Sequence, residues 1–143
     1  MSFDLKIKNG DLSIAGGQLV TVIDSEKLIQ DILKIALTQA GANPQHPWYG
    51  SFLTRTIVGN PAYSSVLVEM SKTQINNCLQ NLEKLQELQI KTFQRVSADE
   101  QLGVVLDISV VRNQIDLRLF DVRISAKNKG FKPITTAFRV STI

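Results

Sequence analysis

Close to Glu100 the spacing of apolar residues changes from a helical period of about 3.6 to a period of two, which commits the chain to a fold containing both helices and strands. Before that point Ile75, Leu79, Leu82 and Leu85 recur at helical spacing among Gln, Asn, Lys and Glu. After it, Val104, Leu106, Ile108 and Val110 are set against Asp107 and Ser109, and Ile115, Leu117 and Leu119 against Asp116 and Arg118. Ile134, Thr136, Phe138 and Val140 form a third alternating run. These runs predict a C-terminal β-meander whose named apolar residues face the core. A turn falls near Asn113, and a β-bulge near Phe120 and Asp121 would explain the slip of phase to Val122 and Ile124. Residues 127–130 read as a loop.

The N-terminal part is read the same way. Phe3, Leu5 and Ile7 alternate with Asp4, Lys6 and Lys8, and Asn9-Gly10 supplies the positive-φ pair of a tight hairpin leading into Leu12 and Ile14. Gly16-Gly17 marks a second turn before a short strand over 19–23, giving a small meander with no internal repeat. Asp24 or Ser25 is the expected N-cap of a helix over 25–40, with Leu28, Ile32, Ile35 and Ala36 on one side, Ile29, Leu33, Leu37 and Ala40 widening the apolar face, and Gly41 at the C′ position. Pro44, Pro47 and Gly50 enforce a loop, and residues 52–58 are ambiguous. Asn60-Pro61 opens a second helix reaching about Ile90. Val66 and Met70 are expected to begin its buried side, and Ser71 to Thr73 is where it would break. The expected fold is α+β, a single domain over residues 1–143: a small, mainly antiparallel sheet with two main helices packed on it, an N-terminal hairpin and a C-terminal β-meander.

Composition narrows the chemistry. One His and one Cys on separate elements do not suit a zinc site, and His46 lacks the sequence surroundings of a catalytic triad. Glycoside hydrolysis needs two carboxyls about 5 to 10 Å apart. Glu26, Asp31, Glu69, Glu83, Glu87, Asp99 and Glu100 are available, but each has a simpler role as a cap, a dipole partner or part of a solvated face. No phosphate loop follows Gly16-Gly17. The reading is therefore a non-enzymatic protein with no cofactor and no metal. The N-terminus lacks the apolar core of a secretory signal, and no apolar run approaches the roughly 20 residues of a membrane span. Cys78 reads as a reduced, buried thiol.

From Val104 onward seven Lys/Arg stand against three Asp, while residues 1–103 carry nine basic and ten acidic side chains. The basic part is thus the C-terminal sheet, read as a solvated face or as a face for an acidic protein partner. Its few aromatics argue against nucleic acid. Two segments stand out as partner contacts. Trp48 and Tyr49, between two prolines, have the makings of interface anchors if they do not fold onto the core. Phe93, Gln94, Arg95 and Glu100 lie in the junction between the long helix and the sheet, where an arginine can hold a carboxylate or exposed helix carbonyls of a partner.

The run from Asn9 to Gly50, NGDLSIAGGQLVTVIDSEKLIQDILKIALTQAGANPQHPWYG, resembles the gene-twenty-five-like (GPW, lysozyme-like) phage baseplate wedge family. That family has a strand ending in Asn-Gly-Asp, a helix with an internal Gln and a Leu-x-Thr near its end, then a glycine and a Tyr-Gly loop. Gln30, Leu37 with Thr38 nearby, Gly41, Tyr49 and Gly50 occupy those places, and the long helix and terminal meander extend the resemblance over nearly the whole chain. It implies a structural wedge component of a contractile tail, made in the host cytoplasm and located in the virion tail baseplate. Its partners would be other wedge subunits and the tail sheath protein within a large hetero-oligomeric assembly, with no nucleic acid and no membrane, and it would join the core bundle and help initiate the sheath. The family's Glu-Pro-Arg docking motif is absent; Gln94 and Arg95 stand roughly where it would fall, and only Arg95 carries over. The rival readings are a tail-associated hydrolase, since some members bear a lysozyme label, and a small bacterial adaptor or antiadaptor of the same fold family.

Overall fold

The computed structural model describes residues 2–60, 63–92 and 95–142. It is an α+β fold with two main helices, short antiparallel ladders at the N-terminus and a three-stranded antiparallel meander at the C-terminus.

Strands β7 (Leu102–Arg112), β8 (Leu119–Asn128) and β9 (Pro133–Ser141) pair in chain order. One face carries rows such as Val110, Val122 and Phe138, and Ile108, Ile124 and Thr136, which close the core. The bulge expected near Phe120 is instead on β7, where the register shifts between Leu102 and Val104 and again between Val105 and Asp107. Each shift turns the strand over. Val105 therefore packs on the core, while Val104 and Leu106, expected inward, are each 55% exposed. Ile115 and Leu117 also miss the core. Residues 113–118 form a turn in which Asn113 Oδ1 accepts the N–H groups of Ile115 and Asp116 at 2.8 and 3.0 Å, leaving Ile115 98% exposed. β8 continues to Asn128, into the predicted loop, and β9 keeps its expected alternation.

Helices α1 (Asp24–Leu37), α2 (Leu53–Ile57) and α3 (Ser64–Lys91) supply the rest of the core. α1 buries Leu28, Ile32, Ile35 and Ala36 as expected, and Ala40 beyond its end is buried too, but Leu37, expected to widen that face, is 55% exposed. Its N-cap is Ile23, not Asp24 or Ser25, because both polar side chains have tertiary partners: Asp24 accepts from Ser97 Oγ at 2.9 Å and Ser25 from Asn128 Nδ2 at 3.3 Å. The helix ends at Leu37 with Thr38 as its C-cap, and Gly41 (φ 88°) serves the following turn. The ambiguous 52–58 segment holds the one-and-a-half-turn helix α2. α3 starts at Ser64, with Pro61 outside the described residues, and runs unbroken through Ser71, whose buried hydroxyl donates to Leu67 O at 2.6 Å. Its buried side is Leu67, Ser71, Ile75, Cys78, Leu79, Leu82 and Gln86; Val66 and Met70 are exposed. Two polar residues on the inward side concealed that phase.

Residues 4–22 do not form the expected meander. Three two-stranded ladders pair Asp4–Leu5 (β1) with Thr21–Val22 (β6), Ile7–Lys8 (β2) with Asp11–Leu12 (β3), and Ile14–Ala15 (β4) with Gln18–Leu19 (β5). They meet at a ring of three hydrogen bonds: Lys6 N–H donates to Val20 O, Ser13 N–H to Lys6 O and Val20 N–H to Ser13 O, at 2.8 to 3.0 Å. The seven-residue spacing of Lys6, Ser13 and Val20 exposes a repeat, IKNGDLS followed by IAGGQLV, where none was expected. Each copy closes on a positive-φ pair, Asn9-Gly10 and Gly16-Gly17. Among residues 2–22 only Val22 is buried, so polar contacts must tether this module to the body.

Candidate partner-binding surfaces

Gln30 and Lys34 on α1, together with Glu100, make the tether. Gln30 Nε2 donates to Leu5 O at 2.8 Å and to Asp4 Oδ2 at 3.0 Å, while its Oε1 accepts Ile7 N–H at 3.0 Å. Lys34 pairs with Asp4, and Lys27 with Asp31 at 2.7 Å. Glu100 receives Ser2 N–H and Ser2 Oγ on Oε1 at 2.9 and 2.8 Å, and Ser97 N–H on Oε2 at 2.7 Å. Gln86 fixes the start of β7, donating to Glu100 O at 3.0 Å and accepting Leu102 N–H at 2.8 Å.

This geometry corrects one expected contact residue. Glu100 is 1% exposed and its carboxylate is fully engaged inside the domain, so it offers nothing to a partner. Burial pushes its pKa up, but the hydrogen bonds from Ser97 and Ser2 and the charge of Lys27 outweigh burial and hold it below the ordinary value. Arg95 differs: it is exposed and makes no side-chain hydrogen bond or ion pair with the described residues. Only Val96 separates it from Ser97, which Glu100 and Asp24 hold in place. Phe93 and Gln94 lie outside the described residues.

The Trp48–Tyr49 pair is placed elsewhere, against the middle of α3. Tyr49 packs on the core, and its hydroxyl pKa is raised by burial and by the negative charges of Asp31 and Asp4. Trp48 is 37% exposed, set edge-on to His46 at 5.7 Å and to Tyr49 at 6.4 Å, and its carbonyl accepts Asn81 Nδ2 at 3.3 Å. One ring thus folds back and the other stays partly open. Between this loop and α3 runs a groove of about 320 Å³ walled by Pro47, Trp48 and Phe52 on one side and Gln74, Asn77 and Asn81 on the other. Composition alone gave no sign of it, because its two walls are far apart in the chain.

The carboxylates show one pairing that the sequence did not. Asp31 is raised, chiefly by burial, while Asp4 is lowered because Lys34 and Gln30 outweigh its burial. Opposed shifts of this kind can mark an acid and a base, but here each carboxylate is closed by its own lysine. Cys78 is buried, its thiol pKa pushed up to about 12 by desolvation. Among the described residues no group of three or more His, Cys, Asp or Glu could hold a metal ion, and no helix is long and apolar enough to cross a membrane. The chain matches no protein-family model, and comparison with curated proteins returns no match.

Proposed function

We propose that this chain is a structural subunit of a phage tail baseplate, a wedge component that joins a core bundle and helps initiate the tail sheath. The observation that carries the reading beyond resemblance is Arg95. An exposed guanidinium with no partner among the described residues, two positions from the fixed Ser97, is available to grip carboxylates or helix-end carbonyls. Strand β9 adds support. It pairs with β8 without a register shift and, among the described residues, has a strand on one side only, which suits addition of a strand from a neighbouring subunit. No reaction is required of the protein.

The test is co-expression with the products of the genes beside its own. Arg95→Ala should weaken co-purification at least tenfold while moving the melting temperature of the isolated chain little; undiminished assembly would remove Arg95 from the role. A tail-associated hydrolase would take precedence if the purified chain cleaved peptidoglycan and Asp31→Asn abolished that activity.

A further inference from the structure

The fold uses one device twice. Gln30 on α1 donates to the carbonyl of Leu5 and accepts the N–H of Ile7, and Gln86 on α3 donates to the carbonyl of Glu100 and accepts the N–H of Leu102. In both cases a helix-borne amide spans the C=O of residue k and the N–H of residue k+2 where residue k+2 opens a strand, Ile7 of β2 and Leu102 of β7; Gln101 is extended (φ −100°, ψ 131°), while Glu100 before it closes a 3₁₀ turn over Ala98–Glu100. α3 carries further amides of the same kind along its groove wall. Gln74, Asn77 and Asn81 lie three and four residues apart on one helix face, and the side chains of Gln74 and Asn77 make no hydrogen bond with the described residues.

From this we propose that the groove between α3 and the 47–52 loop holds an extended, uncharged peptide segment of a partner protein, gripped through its backbone by Gln74 and Asn77. The dimensions agree. Helix neighbours three or four apart are about 5 to 6 Å from one another, and two residues of extended chain advance about 6.6 Å. The groove is lined by no charged side chain, so it suits a neutral segment, and Trp48 and Phe52 offer an apolar wall to an aliphatic side chain projecting from it. A glycan fits less well. No carboxylate lines the groove to accept sugar hydroxyls, and Trp48, held edge-on by His46 and Tyr49 and only 37% exposed, gives a wall and not an open stacking platform. The groove faces the middle of α3, away from the Arg95 junction at its C-terminal end, and the inference does not depend on the baseplate reading.

Selection of displayed random heptapeptides against the full chain tests it, followed by titration of the enriched synthetic peptides while the emission of Trp48, the only tryptophan, is read. The expected result is enrichment of uncharged sequences with one aliphatic residue and an emission shift on binding. Affinity should fall at least tenfold in Gln74→Ala/Asn77→Ala at an unchanged melting temperature, and binding should be lost when alternate peptide amides are N-methylated. Failure to enrich any peptide, equal binding to the double variant, tolerance of N-methylation, or an emission response to chitotetraose and to no peptide would each overturn the proposal.

Discussion

Gln30 and Gln86, on different helices, make the same pair of hydrogen bonds to a C=O and to the N–H two residues on, but Gln86 does so in the interior and Gln30 at the margin. Truncating Gln86 strands a buried carbonyl and a buried N–H, each costing about 1 to 3 kcal/mol. Gln86→Ala is expected to lower the unfolding free energy by about 2 to 4 kcal/mol in urea titrations. A loss below about 1 kcal/mol would mean that the start of β7 finds another partner.

Gln30→Ala should act locally. The N-terminal module buries only Val22, so its stability depends on the tether. Amide exchange at Ile7, Ser13 and Val20 is expected to quicken by about tenfold or more, the equivalent of about 1.4 kcal/mol, while the buried amides of α3 keep their rates. Equal acceleration across both regions would show that the module and the core open together.

Acid should reveal Glu100 and Asp4. Both carboxyls are held below their ordinary values of 4.5 and 3.8, so the stability they confer is complete above those values and is lost as pH falls through the folded ones. Asp31 is raised by burial and has the opposite sign: it costs stability at neutral pH, and protonation relieves that cost. Urea midpoints are expected to fall steeply below about pH 4.5 in the native chain and less steeply in Glu100→Gln. An unchanged acid slope in that variant would contradict the Ser2–Glu100–Ser97 network as its source.

Much of this was legible in the sequence where a local rule decides the outcome. Asn9-Gly10 dictates its turn, the inward face of α1 follows from Leu28, Ile32 and Ile35, and the alternation of β9 survives intact. Where one residue inverts a pattern, periodicity misleads. The β7 bulges put Val104 and Leu106 in solvent, and the buried Ser71 and Gln86 hid the true face of α3. Glu100 looked like a junction charge because nothing nearby in sequence announces Ser2, its partner 98 residues away. The amide groove was illegible for the same reason.

The loop that carries Trp48 depends on Gly50. Its φ of 114° disfavours any side chain, and an added Cβ would lie 2.5 Å from Thr38 O and 2.9 Å from Ala40 N. Gly50→Ala is expected to cost about 2 to 4 kcal/mol and to change Trp48 emission; a variant with native stability and native emission would show that the loop relaxes freely.

The claim that the chain is an assembly subunit docked through Arg95 is tested most directly by amide exchange of the chain alone and in its co-purified complex. Slower exchange is predicted for residues 95–98 on assembly, with α1 unchanged. A chain that stays monomeric beside every product of its neighbouring genes, or a complex in which residues 95–98 exchange as they do in the free protein, would contradict the account.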